Sequence, residues 1–322
     1  MKSLKLIGLA VVAAFICPAL TSCSDDDDDD KGSNGGSNAT DVFDGKQLTS
    51  VGDISFSYDD KGRCTGISEY GTQELSINYS KGTIQFYEND YAGGNIKIKF
   101  NGKGYITEIS GTISGSEDGD TYKASGKYTF SYSNGCLTGV HAVSKESGVE
   151  EGEKYNYSDD YKETYKWTNG NLVETSCKYT ENEDGEKFSG SSRSYISYGS
   201  EVNKFRQYTL ALAETLFDGI DDDYCESLSL VGMFGSASVN FPTAVEQSWN
   251  DSDGDSGETS YTCSFTLNAD EAVASETNSH SSYRTYYYSY GTPRTVVSSD
   301  SEKILDFSKL LRRRAHSKHF GR

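Results

Sequence analysis

The sequence predicts an all-β fold: repeated antiparallel β-hairpins forming a long twisted meander sheet or a partly closed barrel, with a short helical insertion near residues 208–234. Three observations predict it. The composition has 33 Gly, 24 Tyr and only 3 Pro, with abundant Ser and Thr and few strong helix formers, which is the residue usage of strands and tight turns. A pattern of alternating aromatic or apolar residues, then a turn ending in Gly, then an apolar residue two positions beyond it, recurs along the chain. One segment breaks that alternation with helical spacing.

The recurring copies are "ISFSYDDKGRCTGI" (54–67), "LSINYSKGTI" (75–84), "IKIKFNGKGYITEI" (96–109), "YTFSYSNGCLTGV" (128–140) and "YKWTNGNLVET" (165–175). Their period-two alternation sends one set of side chains to one sheet face. Asn134-Gly135 and Asn169-Gly170 suit the positive φ angles of a two-residue type I′ hairpin turn. Aligned on the turn glycine, Cys64, Ile84, Ile106, Leu137 and Leu172 face the core, while Cys136 takes the opposite face. A later copy, "YTCSFTLNADEAVASET" (261–277), carries Glu271 where the turn Gly would stand, and "YRTYYYSYG" (283–291) reads as a closing strand. Hairpins of this kind cannot bury a face alone and stack on their neighbours. In "YTLALAETLFDGI" (208–220), Leu210, Leu212, Leu216, Phe217 and Ile220 follow a helical pattern. Asp222 or Asp223 then caps a second helix with Tyr224, Leu228 and Val231. This pair is expected to plug an open end or face of the sheet.

At the N-terminus, Lys2 and Lys5 precede an apolar run from Leu6 to Cys17 and short residues before Cys23, the three-part layout of a secretory signal over 1–22. The run falls short of the roughly 18 residues a membrane-spanning helix needs. "LTSC" at 20–23 resembles the bacterial lipobox. That resemblance implies cleavage before Cys23, a diacylglyceryl group on its sulfur and palmitate-type acyl chains, enough for stable membrane attachment. Residues 23–42 read as a tether: six aspartates that repel one another, then the flexible "KGSNGGSNAT". Ser24, Asp25, Asp26 and Asp27 directly after the cysteine resemble the export signal of Bacteroidetes lipoproteins sent to the outer face of the outer membrane. The implied location is the outer membrane, lipid-anchored and on the cell surface, with a periplasm-facing lipoprotein as the alternative.

The formal net charge is −19, but it is unevenly placed. Residues 301–322 carry seven Lys or Arg against two Asp or Glu, a net of +5, and the signal carries two lysines, so 23–300 must hold about −26. No basic stripe with interleaved aromatics is visible, and nucleic acid is set aside as a partner. Cys64, Cys136, Cys177, Cys225 and Cys263 have no C-x-x-C spacing and read as scattered core residues, with one or two disulfides left open. His141 and His280 stand far apart, and no nucleophile elbow, H-E-x-x-H or P-loop is present. The chain therefore reads as a non-enzyme, with no catalytic residue, cofactor or metal assigned. "DSDGDSGE" (251–258) begins like a calcium loop with Asp251, Asp253 and Asp255 but fails at Ser256 and Thr262, so a solvated hairpin loop is the preferred reading. The basic tail at 301–322, with Ile304, Phe307, Leu310 and Leu311 ahead of three arginines, reads as a disordered appendage that folds back on the acidic body, or as a C-terminus created by a shifted reading frame, in preference to a membrane-surface segment.

The hairpins resemble YD or RHS-type repeats. Together with "LVGMFGSASVNFP" (230–242), the chain over 43–291 resembles an uncharacterised family of Bacteroidetes lipoproteins built from them. The resemblance implies a hairpin-repeat domain, placed here at 43–300, and no activity. Two function classes follow. One is a β-rich binding platform for glycan or protein, with Tyr286, Tyr288 and Tyr290 as candidates for stacking on a ligand; the alternative is a non-catalytic structural or accessory subunit of an outer-membrane complex.

Overall fold

A computed structural model describes residues 47–86, 94–117, 120–150, 152–217, 223–252, 254–279 and 285–291. Six short strands come first: β1 (Gln47–Val51), β2 (Ile54–Tyr58), β3 (Cys64–Glu69), β4 (Thr72–Asn78), β5 (Thr83–Phe86) and β6 (Gly94–Phe100). Six longer ones follow: β7 (Ile106–Glu117), β8 (Asp120–Ser133), β9 (Cys136–Glu150), β10 (Glu153–Thr168), β11 (Asn171–Glu183) and β12 (Glu186–Val202). The helices α1 (Leu210–Phe217) and α2 (Asp223–Leu230) precede β13 (Asn240–Asp251), β14 (Ser256–Leu267), β15 (Val273–Asn278) and β16 (Thr285–Gly291). Cys23, Ser24, Asp25, Asp26, Asp27, His280 and the basic tail lie outside the described residues.

Each strand pairs antiparallel with its neighbours in the chain, and β16 returns to β1, so the sheet is a closed barrel. β1, which carries no copy of the recurring pattern, supplies the partner that lets β16 close the sheet. Closure removes the two exposed edges that an open meander would leave.

The hairpin turns take the expected form: φ is +50° at Asn134 and +74° at Gly135, +51° at Asn169 and +76° at Gly170. Cys64, Ile84, Ile106, Leu137 and Leu172 all lie in the core, the last three with no exposure. The aromatic before each turn does more than fill space. Its polar tip donates to a backbone carbonyl on the strand before: Tyr58 to Leu48 O (2.6 Å), Tyr79 to Cys64 O (2.8 Å), Tyr132 to Ile106 O (2.5 Å) and Trp167 Nε1 to Leu137 O (2.7 Å). Each hairpin is thereby latched to its predecessor, and a buried hydroxyl or indole N–H that would otherwise cost free energy is paired. Phe100 has no donor and instead stacks on Tyr79 with ring centroids 5.2 Å apart. Tyr198 of β12 continues the series onto Leu172 O at 2.6 Å. The β12–β13 pair is thus a further hairpin, hidden in the sequence because residues 203–239 stand where its turn would be.

That insertion is the plug. It seals the turn end of the barrel through main-chain bonds from Ser236 N to Gly135 O (2.9 Å), Val239 N to Gly170 O (3.1 Å) and Ile106 N to Met233 O (2.9 Å). Inside, Phe234 packs against Phe130 and Phe217 with centroids 4.7 and 5.0 Å away. Leu212, Leu216, Phe217 and Phe234 are at most 1% exposed, each worth about 1.5–3 kcal/mol of burial. Cys136 pairs with Ser133 on the opposite parity to Leu137, as its alignment requires, yet it too is buried. The plug covers it, with Gly235 bridged to its backbone and Arg206 Nη2 3.6 Å from its sulfur. All five described cysteines are buried thiols outside any disulfide.

The far end of the long hairpins uses another device. Gly115 faces Tyr122, Gly148 faces Tyr155, Gly190 faces Tyr179 and Gly257 faces Trp249, each a directly opposed cross-strand pair. In every case the ring lies over the glycine: a Cβ on Gly148 would collide with Thr121 O and sit 2.7 Å from the Tyr155 ring. The aromatic fills the space the missing side chain leaves and covers a strand that glycine alone would weaken.

Candidate functional site

The pleat sorts chemistry across the wall. On β10, Asp159, Tyr161, Glu163 and Tyr165 point inward and are buried, while Asp160, Lys162, Thr164 and Lys166 point outward and are exposed. The same division runs through β8, where Tyr128 and Phe130 are inside and Lys127 and Thr129 outside. A barrel that crosses a bilayer needs the reverse, an outward apolar band. The described wall faces water, and its apolar side is consumed by its own plug.

Within the barrel the plug is fixed by a carboxylate. Glu276 on β15 is fully buried and accepts hydrogen bonds from Ala211 N (2.8 Å), Leu210 N (2.9 Å) and the Tyr288 hydroxyl (2.5 Å). Leu210 N also donates to the Tyr288 oxygen at 2.9 Å. The first turn of a helix has amides with no intrahelical acceptor and a partial positive charge, and Glu276 meets both needs from a neighbouring strand. Burial pushes its carboxyl above the ordinary range, against the pull of the Tyr288 hydroxyl and the two amides.

Further along the interior a group of carboxylates gathers where the strands lengthen. Asp159 stands opposite Glu181 across β10–β11 and opposite Ser144 across β9–β10. Hydroxyls hold them: Ser144 donates to Asp159 (2.8 Å), Tyr161 to Glu181 (2.6 Å), Tyr155 to Glu146 (2.6 Å), and Tyr179 to Asp251. Among the described residues no group of three or more His, Cys, Asp or Glu is arranged to hold a metal ion.

The outward face of the long strands has the opposite charge. β8 presents Lys123 and Lys127, β9 presents Lys145, and β10 presents Lys154, Lys162 and Lys166. β11 and β12 add Lys178, Lys187 and Arg193; Asp160 and Glu174 are interleaved with these cations, and Glu153, Glu183, Glu186 and Glu201 are exposed near the strand ends. Several of these cations are paired. Lys127, with Lys99 of β6, lies 2.9 Å from Glu108 of β7 and, through hydrogen bonds from Lys127 and then Lys99, lowers that carboxyl to about 2. Arg193 and Lys166 share Glu174 at 3.3 and 3.6 Å, and His141 meets Asp160 at 2.9 Å.

Higher on the same face lies an open groove of about 470 Å³. Two successive outward rungs build it: Lys123, Ser147 and Asn156 across β8–β10, then Ser125, Lys145, Ser158 and Asn182 across β8–β11. This groove is the candidate binding site. Its cations, hydroxyls and carboxamides come from four strands that the sequence read separately, which is why neither composition nor motif revealed it. The signal was present only as Lys or Ser at every second position.

The tyrosines singled out by sequence lie elsewhere. Tyr288 is buried against Glu276, Tyr290 donates to Gln207 Oε1 at 2.8 Å, and Tyr286 packs half-buried against the core. Tyr287, between them, is the exposed ring on β16, at 68%. The 251–258 loop forms the β13–β14 turn, with Asp251 N bonded to Asp255 O at 2.8 Å; Asp253 lies outside the described residues.

No family model matches the chain, and no curated protein matches it. Solved structures similar to it include a porin-like protein from Bacteroides vulgatus ATCC 8482, at 14% identity and a TM-score of 0.46, over 76% of this chain and 98% of that one. A porin-like protein from Bacteroides uniformis ATCC 8492 matches at 12% identity and a TM-score of 0.25, over 62% and 90% of the two chains. Likenesses of this size assign no activity.

Proposed function

We propose that this chain is a non-catalytic envelope protein, held at the outer membrane by lipid on Cys23, that displays the outward wall of a sealed barrel as a binding surface. One observation carries the reading: the chain's own plug fills the turn end of the interior, and the outer wall is polar. A wall of Lys, Ser and Thr gains nothing from burial in hydrocarbon. Membrane attachment then has to come from outside the barrel, and the lipobox-like "LTSC" at 20–23 with Ser24, Asp25, Asp26 and Asp27 supplies it. The resemblance to surface lipoproteins of Bacteroidetes, and to their hairpin repeats, supports the same assignment.

Metabolic labelling with an alkynyl palmitate analogue tests the anchor, and protease treatment of intact cells tests display. Labelling of the wild-type chain, its loss in Cys23→Ala, and removal of the domain by external protease are expected. An unlabelled wild-type chain overturns the anchor, and a domain protected in intact cells overturns the surface display.

A further inference from the structure

Resting on that reading of the outer wall, we propose that the groove over β8–β11 binds an acidic polysaccharide, a carboxylated or sulfated sugar polymer. The first support is charge segregation. In a chain of net charge −19, the pleat turns Glu146, Asp159, Glu163 and Glu181 of β9–β11 to the inside and the lysines to the outside, leaving Asp160 and Glu174 among them on the outer wall and Glu153 and Glu183 exposed at the strand ends. The result is a locally cationic wall on an anionic protein, which concentrates polyanions at one face and repels them elsewhere.

The second support is which lysines are free. Lys99, Lys127, Lys166 and Lys204 are committed to carboxylates. Among the described residues Lys123 and Lys145 have no carboxylate within ion-pair distance. Glu146 lines the groove and accepts from Tyr155; Asp184 accepts from Asn156 N at 2.6 Å; Asp160, one outward position beyond Ser158, meets His141; and Glu183 stands opposite Tyr157.

The third is the company those lysines keep. Ser125, Ser147, Asn156, Ser158 and Asn182 present hydroxyl and carboxamide groups between and beside the two ammonium groups, the mixture of donors and acceptors that sugar hydroxyls pair with. Neighbouring strands stand about 4.8 Å apart and successive outward residues about 7 Å apart, so Lys123 and Lys145, diagonal across one pair of strands, lie roughly 8 Å from each other at the backbone. A small anion needs converging donors. Cations spread at that interval along an extended face suit an anion that repeats, and the exposed large apolar residue on β8–β11 is Val143, too little to insert into a lipid surface.

Affinity electrophoresis of the full chain in neutral detergent, through gels carrying polygalacturonate, dextran sulfate or neutral dextran, tests the inference. Retardation by one or both acidic polymers is expected, falling as salt is raised. The double variant Lys123→Glu/Lys145→Glu should weaken it at least tenfold, while Lys103→Glu, in the β6–β7 turn, should leave it within twofold. Circular dichroism and the melting temperature verify that both variants fold. Three results would each overturn the proposal: equal retardation by neutral dextran, acidic binding indifferent to the double variant, or association only with vesicles containing anionic lipid. None of them touches labelling at Cys23 or surface display, so failure here is distinct from failure of the anchored-protein reading.

Discussion

Replacing Glu276 should unseat the plug, and the size of the effect follows from its partners. In Glu276→Ala, Leu210 N keeps the Tyr288 oxygen as acceptor, whereas Ala211 N and the Tyr288 hydroxyl each lose theirs. A buried donor left without an acceptor costs about 1–3 kcal/mol, so a loss of about 2–6 kcal/mol is expected before any relaxation. Glu276→Gln keeps one acceptor and should lose less, about 1–2 kcal/mol. The two also differ in pH dependence. Because burial raises the carboxyl's pKa in the folded chain, the folded state holds a proton that the unfolded state releases above about 4.3. The wild-type advantage over Glu276→Gln is therefore fully present below that value and shrinks as pH rises through the folded pKa. Urea unfolding of the full chain in detergent, followed by Trp167 and Trp249 fluorescence, gives both quantities. A Glu276→Ala chain within about 0.5 kcal/mol of wild type, or a wild-type advantage that grows with pH, would refute the reasoning.

Other outcomes follow from the same structure. Tyr132→Phe and Tyr198→Phe each delete one latch between hairpins and should lower stability by about 1 kcal/mol in urea titrations, with no loss at all arguing against the latch. Gly148→Ala should cost at least about 2 kcal/mol, because its Cβ meets the Thr121 carbonyl; Gly71→Ala, with open space around it but φ at +81°, should cost about 1. Burial pushes the Cys64 and Cys263 thiols up to about 12, so mass spectrometry should find them unmodified by a disulfide reagent in mildly alkaline buffer and modified in denaturant. Glu108, held down at about 2 by Lys127 and Lys99, contributes stability above its unfolded value near 4.3 that is lost as pH falls toward 2. For so accessible a network it is worth on the order of 1 kcal/mol, and an acid titration of Lys99→Ala/Lys127→Ala should lack that component.

How legible this molecule is from its sequence depends on how local the signal is. The turns at Asn134-Gly135 and Asn169-Gly170, the buried position two residues past each turn glycine, and the two helices at 210–217 and 223–230 are each decided by neighbours a few residues away. Period-two and period-3.6 patterns register them directly. The hairpin at β12–β13 escaped because its two strands are separated by the plug. Tyr198 shows its place in the series only through the Leu172 carbonyl it reaches.

Tyr286, Tyr288 and Tyr290 mark the limit most clearly. Alternation puts them on one face of β16, but which face is inward is fixed by pairing with β1 and β15 and by Glu276 waiting inside. Strand identity and hairpin order come from the sequence because β-turn chemistry and side-chain alternation are properties of short segments. Barrel closure, the seating of the plug on Glu276 and the cationic groove across β8–β11 are set by the tertiary structure. They join residues tens to hundreds of positions apart, and no local preference specifies those encounters until the strands are in register.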